Sequence, residues 1–314
     1  MEFSEYYVAY FDVLGYKEAF KKSKDISAKL IESIEQSIDV MKQIVSVVNA
    51  SYDDSIDKKP EVEYKFFSDN ILISYKEAKH PFSAFYLVSF LRLVATIQRV
   101  FFEGSHLIVR GGVTKGPLYL TKDFVGGEAL IDVVELEQSA VYPRIVVDDC
   151  VISELDSEMQ NDVLKNIMAA SSQDLLVKHI DGKFFLNYII SYDPWIMFPK
   201  NGSQFEPVDS FEEFLKNYSE GRQRKPIYKP ECQKEVSVIL RKHKEFVEAM
   251  VNKFSQSSND KTIESERVKI LKKYLWLVSF HNKICDIMYK MPQLKISLKS
   301  EFNEQTLAFD VSVG

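Results

Sequence analysis

Along the first half of the chain the apolar positions switch between two periods. Tyr6 to Leu14 is rich in aromatic and β-branched residues and ends at Gly15, the pattern of a buried strand. Ile26, Leu30, Ile34, Ile38, Met41, Val45 and Val48 then share one face at the helical period, and Ser23 or Asp25 can cap that helix. Ala50 to Pro60 is polar and reads as a loop. Val62 to Phe67 and Ile71 to Tyr75 are two β-rich runs around Ser68-Asp69-Asn70, which predicts a hairpin. Pro81 opens a second apolar helix that runs to Phe102, and Gly104 stops it. His106 to Val113 predicts a further strand, with Gly116 to Thr121 as its candidate partner. Gly127 to Ser139 predicts a shorter helix and Arg144 to Val147 another strand.

Beyond Val147 the organisation changes. Leu175 to Ile189 carries a second hairpin signal around Asp181-Gly182. Pro194 to Pro207 has the look of a linker. Lys234 to Ser255 and Ile263 to Tyr289 are helical by period and charge pairing, and Leu294 to Val313 alternates loosely, as a strand would. Three regions follow: 1–150, a strand and helix extension packing on it over 151–200, and a mainly helical region over 201–314. Up to Val113 the order is β-α-β-β-α-β, the split βαβ arrangement. The expected class is therefore α+β, with a ferredoxin-like core, extra strands and a helical C-terminal extension.

Composition narrows the function classes. The 314 residues are 46% hydrophobic and 27% charged, with a net charge of −6, so the basic footprint of a dedicated nucleic-acid binder is missing. Cys150, Cys232 and Cys285 lie far apart with no CxxC or His/Cys ligand spacing, which speaks for reduced thiols and against zinc. The N-terminus has no basic stretch followed by an apolar one. The longest apolar segment, Ala84 to Phe102, contains Arg92, Gln98 and Arg99, which suits a core helix better than a membrane span. The expectation is a cytoplasmic protein that engages neither nucleic acid nor membrane. His80, His106, His179, His243 and His281 show no paired spacing and read as structural or surface residues. Trp195 and Trp276 read as core anchors.

Topology brings two carboxylates together. In a split βαβ sheet strand one lies beside strand three, antiparallel to it, so it ends on the side of the hairpin joining strands two and three. Asp12, near the end of strand one, and Asp69, in the hairpin, are therefore expected to be neighbours. Such a pair can hold one or two hard divalent cations and leave positions open for phosphate oxygens. The residues alone leave a second reading open, in which Asp12 caps the following turn and Asp69 is a turn residue.

The surrounding motifs carry a resemblance. Tyr10-Phe11-Asp12-Val13-Leu14-Gly15-Tyr16 resembles the Phe-x-Asp-Ile-x-Gly-Phe first strand of class III nucleotidyl cyclases. Lys65-Phe66-Phe67-Ser68-Asp69 resembles their Lys-x-x-Gly-Asp hairpin, with Ser68 in place of glycine. Arg110-Gly111-Gly112-Val113-Thr114-Lys115-Gly116 resembles their Arg-x-Gly-Ile-x-x-Gly strand, and Gly127 to Arg144 the helix and strand that follow. The resemblance covers roughly residues 5 to 150. Within the superfamily, the Phe-Ser-Asp hairpin, the Arg-Gly-Gly strand, the Leu136-Glu137 helix end, Tyr142-Pro143-Arg144-Ile145 and Lys273-Tyr274-Leu275-Trp276-Leu277 look most like the pyrimidine cyclases of bacterial anti-phage (Pycsar) signalling.

The resemblance implies a cyclase (palm) catalytic domain over 1–150. Asp12, Asp69 and the Val13 carbonyl would hold Mn2+ or Mg2+. The backbone of Leu14, Gly15 and Tyr16 would cradle a triphosphate, and Lys65 would read the base. The implied reaction converts a nucleoside triphosphate, UTP or CTP, to its 3′,5′-cyclic monophosphate and pyrophosphate. The implied assembly is a head-to-tail homodimer, with the product read by a separate effector protein. One departure stands out. The family's Asn-x-x-x-Arg falls on Ile131 and Glu135, or on Leu130 and Val134 one register away. Arg144 and Lys115 are the candidate replacement cations, with Arg144 the catalytic choice and Lys115 a substrate contact. Arg110 reads as a structural ion pair. The second base-reading position falls on Asp123 or Phe124, which leaves the base open. A catalytically degenerate cyclase fold that binds nucleotide and regulates a partner is the alternative. A polymerase-like palm is a third reading, disfavoured by the acidic charge.

Overall fold

The computed structural model describes residues 3–16, 24–51, 62–77, 83–158, 175–190, 196–199, 205–207, 227–228, 230–256, 261–298 and 311–312. The loop expected over Ala50 to Pro60, the helix start at Pro81 and Trp195 fall wholly or mostly outside them, as does the side chain of Cys232. The chain forms two compact units, one of residues 1–157 with 176–188, the other of 158–175 with 189–313.

The first unit is the α+β core. Its elements are β1 (Ser4–Val13), α1 (Lys24–Ser51), β2 (Val62–Phe67), β3 (Asn70–Lys76), α2 (Ser83–Ser105), β4 (Val109–Leu120), β5 (Val125–Gly126), α3 (Glu128–Ser139), β6 (Ile145–Val147), α4 (Asp149–Glu158), β7 (Leu176–His179) and β8 (Phe184–Leu186). Its strand order is β7-β8-β6-β4-β1-β3-β2, with β5 beside β4. The four strands β4-β1-β3-β2 reproduce the ferredoxin-like order, and β1 is antiparallel to both neighbours. β6 adds in parallel to β4, and the expected hairpin, β7–β8 with Gly182 at φ 84, joins the sheet through β6.

Alternation along β1 sorts its side chains between two layers. Tyr7 and Phe11 pack on α2 through Phe90 and Phe101, with ring centroids 6.3 Å apart in each pair. Tyr6 and Val8 turn to the opposite face, where they form a core with Leu72, Leu118, Ala129 and Val133 under α3. Helix α1 packs on α2. It buries Ile34, Met41 and Val45 of its predicted stripe, while Ile31 and Val40 stay exposed.

One expectation about the sheet is corrected. Gly116 to Thr121 is not a separate partner of the strand before it: β4 runs unbroken through Gly116. Gly116 lies mid-strand beneath α3, where a Cβ would stand in ordinary contact with the Ala129 Cβ at 3.5 Å, and is not a turn.

The second unit holds α5 (Pro230–Ser255) and α6 (Lys261–Lys283), packed on each other, followed by a π turn at Ile284–Met288 and a 3-10 turn at Pro292–Leu294. Trp276 is fully buried and stacks on Phe280 at 5.6 Å, the core anchor expected of it. The segment read as a linker contains β9 (Ile196–Pro199) and β10 (Phe205–Pro207), which pair with each other, while β11 (Ile227–Tyr228) pairs on the other side of β9. The strand pattern after Leu294 lies largely outside the described residues. Two histidines read as unrelated are partners. The Nδ1 atoms of His243 and His281 are 3.1 Å apart between nearly parallel rings, buried in this unit. Among the described residues no helix is long and apolar enough to cross a membrane.

Candidate active site

The β2–β3 hairpin and the end of β1 come together as the strand order requires. Asp12 pairs with Asn70 in register, and the Val13 N–H donates to the Asp69 carbonyl at 3.0 Å. The two-residue turn is tight: Ser68 sits at φ 62, and Asn70 Nδ2 donates to the Phe67 carbonyl and to Asp69 Oδ1, both at 3.3 Å. Asp12 is raised from 3.8 to about 6. Burial contributes most, then the Asp69 charge, then Glu137; Arg110 opposes them, and a hydrogen bond with Asp69 adds to the rise. The backbone pairing at Asn70 and Asp69 thus sets the two carboxyls side by side.

Arg110 faces Asp12 across the β1–β4 ladder. Its Nη2 stands 3.9 Å from Asp12 Oδ2. Its Nε donates to Glu137 Oε1 at 2.6 Å, and Nη2 also contacts that oxygen. Glu137 reaches in from α3 and is buried. Gly112 lets it do so, because a Cβ there would stand 2.9 Å from the Leu136 side chain. With a side chain at 112, Leu136 and the turn of α3 that carries Glu137 would have to shift outward. The structural ion pair expected of Arg110 exists. Its carboxylate partner Glu137 was singled out only as a motif letter; its inward aim follows from α3 packing on Gly112, which no local pattern signals.

The other expected residues divide. Lys65 lies on the α3 face, in the row of Leu72 and Tyr10, and its Nζ donates to the Lys122 carbonyl at 2.5 Å. Gly15 adopts φ 87 directly after β1, and Tyr16 follows it. The Leu14 N–H is spent on the Ile108 carbonyl at 2.9 Å, which removes it from any phosphate cradle.

Lys115 is not brought to the aspartates. It lies five positions along β4 from Arg110, roughly 17 Å, and its odd spacing puts it on the α2 face. There it pairs with Glu77 at 2.8 Å and Glu154 at 3.0 Å, over the Tyr7 ring. Arg144 is also placed apart. It precedes β6, two strands from β1 and so roughly 10 Å away. Its buried guanidinium meets Asp181 at 2.5 Å, which holds the Asp181 carboxyl down at about 2.

Leu130 and Val134 pack into the α3 core, while Ile131 and Glu135 are exposed on its outer face. Of the two registers that the motif resemblance left open, the one at Ile131 and Glu135 therefore points outward. Asp123 and Phe124 are both exposed.

The donor set fits a hard divalent cation. Asp12 and Asp69 offer oxygens that crowd each other when both are charged, and a cation relieves that repulsion. Among the described residues no group of three or more His, Cys, Asp and Glu forms a closed cage, so the candidate ligands are two carboxylates.

No protein-family model and no curated protein matches the sequence. Solved structures do. The chain is similar to the adenylyl cyclase CyaB from P. aeruginosa, at 11% identity over 68% of this chain and 97% of that one, TM-score 0.38. It is also similar to the guanylyl cyclase Cya2, at 8% identity over 49% of this chain and 79% of that one, TM-score 0.36. A third is the monomeric guanylyl cyclase domain of the RhoGC fusion protein from the aquatic fungus Blastocladiella emersonii, at 13% identity over 59% and 95%, TM-score 0.38. These are low-identity likenesses of fold, from which no chemistry of this chain follows.

Proposed function

We propose that the chain is a metal-dependent nucleotidyl cyclase acting on a nucleoside triphosphate. The observation that carries this reading is the meeting of Asp12 and Asp69 at one end of the sheet, with Asp12 pushed up to about 6 by its buried, like-charged surroundings. Asp12, Asp69 and the Val13 carbonyl would hold Mn2+ or Mg2+. That ion would neutralise phosphate charge and lower the barrier to attack by a ribose hydroxyl. The residues themselves orient the reaction. The β1 end and the hairpin fix both carboxylates on one edge, Gly15 and Tyr16 line the turn where the triphosphate would lie, and Lys65 stands on the same face for the base. In the reaction the 3′-oxygen bonds to the α-phosphorus, the bond from that phosphorus to the β-phosphate bridge breaks, pyrophosphate departs, and the hydroxyl proton passes to water.

The finer reading is a pyrimidine cyclase, making cyclic UMP or CMP as a second messenger of anti-phage defence for a separate effector protein. It rests on the motif resemblance at Phe67-Ser68-Asp69, Arg110-Gly111-Gly112 and Tyr142-Pro143-Arg144-Ile145. The same resemblance supports a head-to-tail homodimer, and the exposed apolar side chains Phe124 and Ile131 are consistent with a covered α3 face. The test is incubation with each of ATP, GTP, CTP and UTP and Mn2+. Cyclic UMP or CMP, lost in Asp12→Ala and Asp69→Ala, is the expected result. Cyclic product from purines alone refutes the finer reading, and no cyclic product from folded protein refutes the cyclase.

One observation favours a second reading, a nucleotide-binding protein without turnover: exposed Ile131 and Glu135 replace the residues that orient ribose and phosphate in the family. Triphosphate binding by calorimetry with no product would establish it.

A further inference from the structure

The proposed reaction gives no part to Asn70, the half-buried residue directly after Asp69. It pairs with Asp12 in register on the neighbouring strand. The two kinds of pair in an antiparallel ladder alternate. The hydrogen bond between Val13 and Asp69 therefore makes the next pair inward, Asp12 with Asn70, a non-hydrogen-bonded one. Side chains come closest at such pairs, with Cβ atoms about 5 Å apart on the same face of the sheet. The Asp12 carboxyl and the Asn70 amide thus lie side by side.

The amide has a fixed orientation. Its Nδ2 donates to the Phe67 carbonyl and to Asp69 Oδ1, both at 3.3 Å. A backbone carbonyl and a carboxylate only accept, so the amide nitrogen faces them and both its hydrogens are spent there. Phe67 is the partner of Asn70 on β2, and β2 lies on the opposite side of β3 from β1. In a planar amide the oxygen occupies the other edge, here the β1 side where Asp12 stands. Asn70 Oδ1 has no protein partner among the described residues.

We propose that Asn70 Oδ1 is a third oxygen ligand of the cation held by Asp12 and Asp69. The assignment rests on the metal-dependent reading and deepens it. Hard divalent cations accept amide carbonyl oxygens as well as carboxylates. A neutral ligand adds an oxygen without adding to the repulsion between two carboxylates. The Nδ2 bonds set the ligand in place before the cation arrives, and they restrain the Asp69 carboxylate at the same time.

The experiment is calorimetry with Mn2+ alone, together with water-proton relaxation of the bound Mn2+, run beside the four-triphosphate assay. The proteins are wild type, Asn70→Ala and Asn70→Asp, each checked for folding by thermal melting. Asn70→Ala is expected to bind Mn2+ about 10-fold more weakly, the low end of the loss seen when a partner around a metal is removed. Its bound Mn2+ should relax water protons more strongly, because water takes the vacated position. Asn70→Asp keeps an oxygen at this position and loses both amide donors, so as a ligand it should bind Mn2+ at least as tightly as wild type.

Mn2+ affinity within twofold of wild type in folded Asn70→Ala overturns the assignment, as does unchanged water relaxation. Equal losses in Asn70→Ala and Asn70→Asp also overturn it, because the amide would then act only by holding Asp69 through Nδ2. A wild type that binds no Mn2+ overturns both the assignment and the metal-dependent reading. Weaker Mn2+ binding by Asn70→Ala, in a protein that makes no cyclic product, refutes the cyclase reading and leaves the ligand in place. Cyclic product with unchanged Mn2+ binding by Asn70→Ala does the reverse.

Discussion

The Val13 amide donates to the carbonyl of Asp69 at 3.0 Å, and this one bond ties the end of the first strand to the turn of a hairpin more than fifty residues later in the chain. It makes Asp12 and Asp69 neighbours through backbone, so their proximity does not depend on attraction between side chains that in fact repel.

Burial of Asp12, together with that repulsion, has a measurable consequence. A carboxyl raised from 3.8 to about 6 costs stability when charged; the cost is complete above pH 6 and gone below 3.8. In metal-free buffer at pH 8, Asp12→Asn should therefore be more stable than wild type, by about 1 kcal/mol after discounting for solvent screening. The gain should vanish near pH 4. Adding Mn2+ should reverse the order, since only wild type gains stability by binding it. Thermal melts at the two pH values, with and without Mn2+, check all three statements.

Ser68 holds a left-handed conformation, φ 62, that glycine adopts at no steric cost. Ser68→Gly should stabilise the first unit by about 0.5 kcal/mol, the left-handed penalty less glycine's added unfolded-state entropy. Triphosphate turnover should survive, because the Val13–Asp69 bond is backbone only. Urea unfolding measured beside the cyclisation assay tests both.

Arg144 is buried against Asp181, so removing the acid strands the charge. Asp181→Ala should destabilise by about 3 kcal/mol, the cost of breaking a buried pair from one side, discounted because Asp181 is partly exposed. Arg144→Met together with Asp181→Ala should recover much of it. Denaturant midpoints of the single and double variants decide this. Recovery of stability together with normal turnover identifies the pair as structural.

In the second unit, His281 Nε2 lies 2.9 Å from the Leu294 carbonyl, which can only accept, so Nε2 carries the proton and Nδ1 accepts from His243. Burial lowers His281 to about 4 and His243 well below its usual value. Both pKa values are lowered in the fold, so the unfolded chain takes up protons first. Stability is complete above pH 6.5 and declines as pH falls toward 4, with a slope of up to about 1.4 kcal/mol per pH unit for each histidine. A His243→Phe/His281→Phe variant should lose this slope in a urea titration between pH 4.5 and 7.5.

The parts legible from sequence were those governed by short periods. β1, the β2–β3 hairpin, α1 and α3 announce themselves by alternation or helical stripes, and the meeting of Asp12 and Asp69 follows from strand order alone. What was hidden depends on partners remote in the chain. Arg144 meets Asp181 at a separation of 37 residues, Lys115 meets Glu77 and Glu154 at 38 and 39, and Arg110 meets Glu137 at 27. Motif position marked Arg144 and Lys115 as available cations, but nothing local to them reveals that each is already neutralised. Gly116 misled for a related reason. A glycine inside an unbroken strand looks, in one dimension, like a glycine that lets a chain turn.

Gly112 also lies beneath α3, nearer the chemistry and with less room. Leu136 settles directly over it, and the next residue of the helix, Glu137, holds the guanidinium that faces Asp12. An uncharged, chemically silent position on β4 thus leaves room for the helix that carries an acid of the site, and a single methyl group there would press on that helix without adding or removing a charge.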